Sequence, residues 1–214
     1  MNKFIGFAVV GALLSTSAMG ATESFSRSFG PTLTDFTAGP LTLPAFDVGL
    51  GTLKKVSIRY SAAGTVSGTV TNNATSTQAF NVRTNTSVTL NSSVASLNGL
   101  TLDLASVQGY EGVDAGMSAT YGPFSPQANL NVASATPLTD FEGGPISFSA
   151  ATLSQTTIQG GGNNIKATIA SSASGIVMVT YTYAEAKRDI PEPASMSLLG
   201  LGVAGLGLLR RVRR

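Results

Sequence analysis

Between Ala21 and Ile190, apolar side chains recur at every second position in short runs. The spaces are filled by Ser, Thr and Asn, which supply 55 of those 170 residues. A period of two turns one side of a run toward a core and the other toward water, which is the pattern of a half-buried strand. It appears at Lys54–Tyr60, where Val56, Ile58 and Tyr60 share a face, and at Thr65–Thr71, Phe80–Thr84, Ser87–Leu90 and Leu100–Leu104. It returns at Ile146–Leu153, Ile165–Ile169 and Ile176–Tyr183, the last apolar on both faces at its start, as in a central strand. Asn72-Asn73, Asn98-Gly99 and Gly160-Gly161-Gly162-Asn163-Asn164 punctuate the runs with turn chemistry. Thr suits strands, whereas Ser and Asn suit turns and exposed positions. The expected architecture is all-β: an antiparallel β-sandwich of about eight to ten short strands, jelly-roll or Ig-like, over residues 21–186.

Composition narrows the chemistry. The 214 residues include no Cys and no His, which removes disulfides, thiolate or imidazole metal sites, thiol nucleophiles and the Ser-His-Asp triad. The formal charge of +2 comes from the ends. From Ala21 to Ile190 there are eight Lys and Arg against ten Asp and Glu, a net of −2. A weakly acidic body lacks the electrostatic footprint of a nucleic-acid binder, so no nucleic-acid partner is expected.

The ends carry addressing features. Lys3 is followed by an apolar run from Phe4 to Leu14 and then by Ser15-Thr16-Ser17-Ala18-Met19-Gly20. That run is too short to span a bilayer, and Ala18 and Gly20 fit the small-residue pattern before a cleaved bond. Residues 1–20 therefore read as a signal peptide, cut by signal peptidase to leave Ala21 first. At the other end, a linker over 187–193 contains Pro191-Glu192-Pro193. Residues 194–214 begin with an uncharged Gly/Leu-rich stretch and close with Arg210, Arg211, Arg213 and Arg214. Its 16 uncharged residues reach about 24 Å as a helix, and snorkelling arginines extend that span. The cationic end stays cytoplasmic, so the segment is expected to be a transmembrane helix anchored in the inner membrane with the body outside. Gly200-Leu201-Gly202-Val203-Ala204-Gly205 spells a dinucleotide-binding pattern, but no strand precedes it and no βαβ unit follows.

The order Pro-Glu-Pro, short Gly/Leu-rich helix and terminal arginine cluster resembles the PEP-CTERM sorting signal of Gram-negative bacteria. The resemblance rests on Pro191, Glu192, Pro193 and Arg210–Arg214. It implies an exosortase as processing partner, a transient stay at the inner membrane and passage to the cell surface or the exopolysaccharide matrix. A second likeness sits in the body. Phe46-Asp47, a short turn, Gly51-Thr52-Leu53 and a following strand resemble the opening of the choice-anchor E domain, which implies a β-rich body and a surface location, with no activity to transfer.

One internal echo stands out. Leu33-Thr34-Asp35-Phe36-Thr37-Ala38-Gly39-Pro40-Leu41-Thr42-Leu43 resembles Leu138-Thr139-Asp140-Phe141-Glu142-Gly143-Gly144-Pro145-Ile146-Ser147-Phe148. In each copy the Gly-Pro step closes a turn and the alternation beyond it begins a strand, so the two are expected to be equivalent and neighbouring strands.

Candidate chemistry is sparse. Glu111 and Asp114 fall in a Gly-rich stretch, Gly109–Gly116, that lacks the alternating acidic spacing of a calcium loop and reads as a solvated loop. Tyr110, Tyr121 and Phe124 are expected in one long loop ending at Pro126, where flat rings would contact a glycan. The plainer reading of the three is packing. No catalytic residue, metal or cofactor is expected. Two functions follow: a non-enzymatic exported surface or matrix protein, or a carbohydrate-binding module acting on exopolysaccharide.

Overall fold

The computed structural model describes residues 20–186, folded as nine strands in two sheets. In chain order these are β1 (Ala21–Leu33), β2 (Thr37–Leu43), β3 (Gly51–Asn72), β4 (Gln78–Ser92) and β5 (Leu100–Val113). Then come β6 (Ser118–Phe124), β7 (Gln127–Val132), β8 (Ile146–Gly160) and β9 (Ile165–Glu185). One sheet has the order β1-β9-β3-β6, with β7 pairing β3 on the same side as β6; the other has the order β2-β8-β4-β5. Every pairing is antiparallel. The signal peptide, apart from Gly20, lies outside the described residues. So do the Pro-Glu-Pro linker beyond Ala186 and the expected transmembrane helix with its arginines. Among the described residues no helix is long and apolar enough to cross a membrane.

The topology is that of one long ribbon rolled up. β1 pairs β9, β2 pairs β8, β3 pairs β6 and β7, and β4 pairs β5. Rolling then sets β9 beside β3 and β8 beside β4. Of the two sandwiches expected from the sequence, this is the jelly roll. The strands are longer than expected. Lys54–Tyr60 and Thr65–Thr71 are parts of one 22-residue strand, and Ile165–Ile169 and Ile176–Tyr183 are parts of another of 21 residues.

The interior explains why those strands look interrupted in sequence. A larger apolar cluster includes Phe46, Val56, Ile58, Tyr60, Leu90, Phe148, Val179 and Tyr181. A smaller one holds Val66, Val70, Phe80, Val82, Val113 and Tyr121. Between them the inward positions carry hydroxyls. The inner file of β4 reads Phe80, Val82, Thr84, Thr86, Val88, Leu90, all buried. Thr86 Oγ1 lies 3.1 Å from Ser154 Oγ, which lies 2.8 Å from Ser171 Oγ, itself 2.6 Å from Thr34 Oγ1. This chain of hydroxyls crosses from β4 and β8 to β9. Burying a hydroxyl is costly unless it is partnered, and these hydroxyls partner one another. Ser106 and Ser171 are thus buried, against the expectation that Ser marks exposed positions.

The turn clusters fall between strands as expected, although Asn72 itself is fully buried at the end of β3. Its Nδ2 donates to the carbonyls of Ser76 and Val113, both at 2.8 Å, and its Oδ1 accepts from Ala74 N at 2.9 Å. The echo copies do form neighbouring strands. Leu41, Thr42 and Leu43 of β2 face Phe148, Ser147 and Ile146 of β8. The copies differ in detail: β2 already begins at Thr37 and shifts register across Gly39-Pro40, whereas a 3-10 turn over Leu138–Phe141 precedes β8.

Candidate functional site

The three aromatic residues expected in one loop lie on strands, Tyr110 on β5 and Tyr121 and Phe124 on β6. Tyr121 is fully buried, its hydroxyl 2.9 Å from Ser106 Oγ and donating to the Ser106 carbonyl at 3.0 Å. Its ring meets Phe124 edge-on at a centroid distance of 5.0 Å. Tyr110 stacks on Phe80 at 4.9 Å and donates to the Thr120 carbonyl at 2.8 Å. Burial first, and the neighbouring Tyr121 second, raise the Tyr110 phenol above its ordinary range. The trio therefore belongs to the smaller core cluster and its flank, and Tyr121 presents no ring to a sugar. The alternation of β6 is the missed signal: Ala119 and Tyr121 point inward while Thr120 points out.

The acidic stretch does not assemble a site. Glu111 is exposed on β5, while Asp114 is exposed in the turn after it and accepts from Thr77 Oγ1 at 2.8 Å. No group of three or more carboxylates suited to a metal forms among the described residues. Phe46 and Asp47 have a structural role. Phe46 is buried against Tyr181 and Tyr183, with centroids 5.7 and 5.2 Å away. Asp47 Oδ1 caps the 3-10 turn Val48–Leu50 by accepting from Gly49 N at 2.8 Å, and this turn feeds β3.

A concavity that the sequence did not point to lies on the outer face of the β1-β9-β3 sheet. It encloses about 510 Å³ and is lined from four strands. Register places Asn129 (β7), Ser61 (β3), Ile176 (β9) and Ser28 (β1) in one cross-strand row. Arg59 flanks that row on one side, and Gln127, Ala63 and Ser174 flank it on the other. Short side chains in the middle and longer ones on β7 and at Arg59 shape the hollow. β1 breaks register between Phe29 and Thr32, at the rim. Gly30 there has a φ of +69°, and a Cβ on it would run into the Ala173 carbonyl, so only glycine fits that bend. The contributing residues span positions 28 to 176, which leaves no local sequence pattern to detect.

Comparison with known proteins informs the end of the chain. Residues 189–214 match the PEP-CTERM protein-sorting motif, a match that takes in Pro191, Glu192, Pro193, Arg210, Arg211, Arg213 and Arg214. The chain thus carries a sorting motif at its C-terminal end. No curated protein matches the sequence. Among solved structures, the chain is similar to one described as "Structure of infectious bursal disease virus Gx strain". The identity is 13%, over 86% of this chain and 48% of that one, with a TM-score of 0.19. It is also similar to a chain of "Bacillus endospore appendages form a novel family of disulfide-linked pili", at 11% identity over 80% and 98%, with a TM-score of 0.19. A third is "Crystal Structure of the STIV MCP", at 13% over 77% and 49%, with a TM-score of 0.22. The chain spans about half the length of the infectious bursal disease virus chains first matched. Scores this low carry no argument about fold or role. The resemblance of Phe46–Val56 to choice-anchor E finds no support in these comparisons.

Proposed function

We propose that this is an exported, non-enzymatic protein of the cell surface or extracellular matrix, sorted by an exosortase acting on its C-terminal tail. The observation that carries the reading is the PEP-CTERM motif at residues 189–214. The apolar run and small-residue pattern before Ala21 support export, and the structure is compatible with a mature chain starting there, since Ala21 is the first residue of β1 and pairs with Tyr183. The absence of His and Cys from the sequence, with the described carboxylates dispersed, supports a role without catalysis. After delivery, the sandwich is the working part and the tail the address.

Cell fractionation of an exosortase-bearing Gram-negative host tests the reading. Wild-type protein should reach the envelope, surface or medium, with Ala21 at its N-terminus by Edman sequencing. Replacing Pro191-Glu192-Pro193 with three alanines should hold it in the inner membrane. Surface delivery of that variant at the wild-type level would reduce Pro-Glu-Pro to a spacer and sink the proposal.

A further inference from the structure

The outer face of the β1-β9-β3 sheet has a charge distribution that the net charge of the body conceals. Alternation in burial assigns the even positions of β1 and β9 and the odd positions of β3 and β7 to this face. Its charged side chains are Lys55, Arg59 and Lys166, joined by Lys54, which is exposed at the register shift beside Lys55; among the described residues no Asp or Glu points outward from it. The acidic residues lie on other faces, edges and connections. A body with a net negative count thus presents one wholly cationic sheet face, with Arg59 at the hollow.

The hollow also differs from its surroundings in how its hydrogen-bonding groups are used. Elsewhere on this face hydroxyls pair across strands: Ser24 with Thr180 at 2.8 Å, Thr65 with Ser172 at 2.7 Å, and Thr71 with Ser118 at 2.7 Å. Within the hollow, the side chains of Arg59, Ser61, Gln127 and Asn129 make no hydrogen bond to the protein among the described residues. A guanidinium, two amides and a hydroxyl therefore remain available beside the aliphatic surface of Ile176, which is 39% exposed. A guanidinium fork matches a carboxylate, amides match vicinal hydroxyls, and an aliphatic patch covers the C–H face of a pyranose. Nucleic acid fits less well, because this face has no aromatic ring for base stacking and few cations.

We propose that this hollow binds a carboxylate-bearing polysaccharide, a chain of uronate sugars, with Arg59 on a carboxylate and Gln127 and Asn129 on ring hydroxyls. The proposal goes beyond the sorting reading and stands without it, because it concerns where the body binds and not how it is delivered. Lys55 and Lys166 lie along the same face and extend the favourable potential over neighbouring sugar units. Binding weakens with added salt, because the site is exposed.

Calorimetric titration of the full-length protein in detergent micelles tests this, with polygalacturonate as probe and its fully methyl-esterified form as the uncharged control. Wild type should bind polygalacturonate at least tenfold more tightly than the ester. Arg59→Ala should lose at least tenfold in affinity, and Arg59→Lys should recover part of it. Arg83→Ala removes the same charge from the outer face of the other sheet and should bind as wild type. Ser174→Glu, which places a carboxylate in the hollow, should abolish binding, and it decides the matter should Arg59→Ala fail to fold. The proposal is overturned if wild type does not bind, if Arg59→Ala matches Arg83→Ala, or if the ester binds equally well. It is equally overturned if duplex DNA competes as effectively as polygalacturonate. None of these outcomes depends on where the protein is sorted.

Discussion

Asn72 gives the sharpest test of how the distal end of the sandwich is held. Replacing it with alanine removes three hydrogen bonds, those from Nδ2 to the Ser76 and Val113 carbonyls and that from Ala74 N to Oδ1. The three partners differ in what happens next. Ser76 is exposed and Ala74 half-buried, so both regain water and each loss costs about 0.5–1 kcal/mol. Val113 is buried at 6% exposure, so its carbonyl is left without a partner at about 1–3 kcal/mol. The sum is about 2–5 kcal/mol, which lowers the melting temperature by roughly 5–15 °C for a domain of this size. Urea unfolding followed by circular dichroism reads the loss as a lower midpoint with an unchanged slope. Asn73→Ala, at the exposed neighbouring position, should stay within about 0.5 kcal/mol of wild type. A loss below about 1 kcal/mol for Asn72→Ala would refute the claim that this side chain ties the β3–β4 connection to β5.

Tyr121→Ala should destabilise the fold by about 3–5 kcal/mol, because it empties the smaller cluster and leaves Ser106 unpaired; chemical unfolding checks it. Alkaline pH should destabilise the protein. Burial, and then the nearby Glu23 carboxylate, push the Tyr181 phenol up to about 12, and burial also raises Tyr60. The unfolded phenol titrates near 10, so the Tyr181 contribution is complete below that pH and disappears as pH rises toward 12. It is worth about 2–3 kcal/mol, and unfolding midpoints measured from pH 9 to 12 should fall accordingly. Deleting residues 194–214 should leave the melting temperature of the sandwich unchanged within about 2 °C, since the nine described strands complete both sheets without them; calorimetry decides this.

The sequence disclosed the period-two strands and their turns because each is a local pattern, and the echo disclosed one true strand pair, β2 with β8. It broke β3, β4 and β9 into pieces where Ser61–Gly64, Asn85–Thr86 and Ala170–Gly175 carry small or polar residues. At Thr86 and Ser171 those hydroxyls face inward and bond across the interior. A buried Thr and an exposed Thr look alike in one sequence; only the partner across the sandwich distinguishes them. The edge strands β1 and β7 alternate too weakly in apolar residues to announce themselves. Tyr121 was misplaced because the alternation of β6, Ala119 and Tyr121 inward with Thr120 out, is only a few residues long, and the hollow beside Arg59 was invisible because four distant segments build it.

The placement of the last strand has a mechanical consequence. β9 is hydrogen-bonded along its length to β3 on one side and over residues 172–183 to β1 on the other, and Ala186 N still donates to the Leu50 carbonyl at 3.0 Å. A tension applied through the chain beyond Ala186 and directed along the strand loads both ladders in shear, so many bonds must yield together. The same tension at Ala21 meets an edge strand held by a single ladder. A tether at the C-terminal end would therefore grip the sandwich by a strand clamped on both sides rather than by an edge.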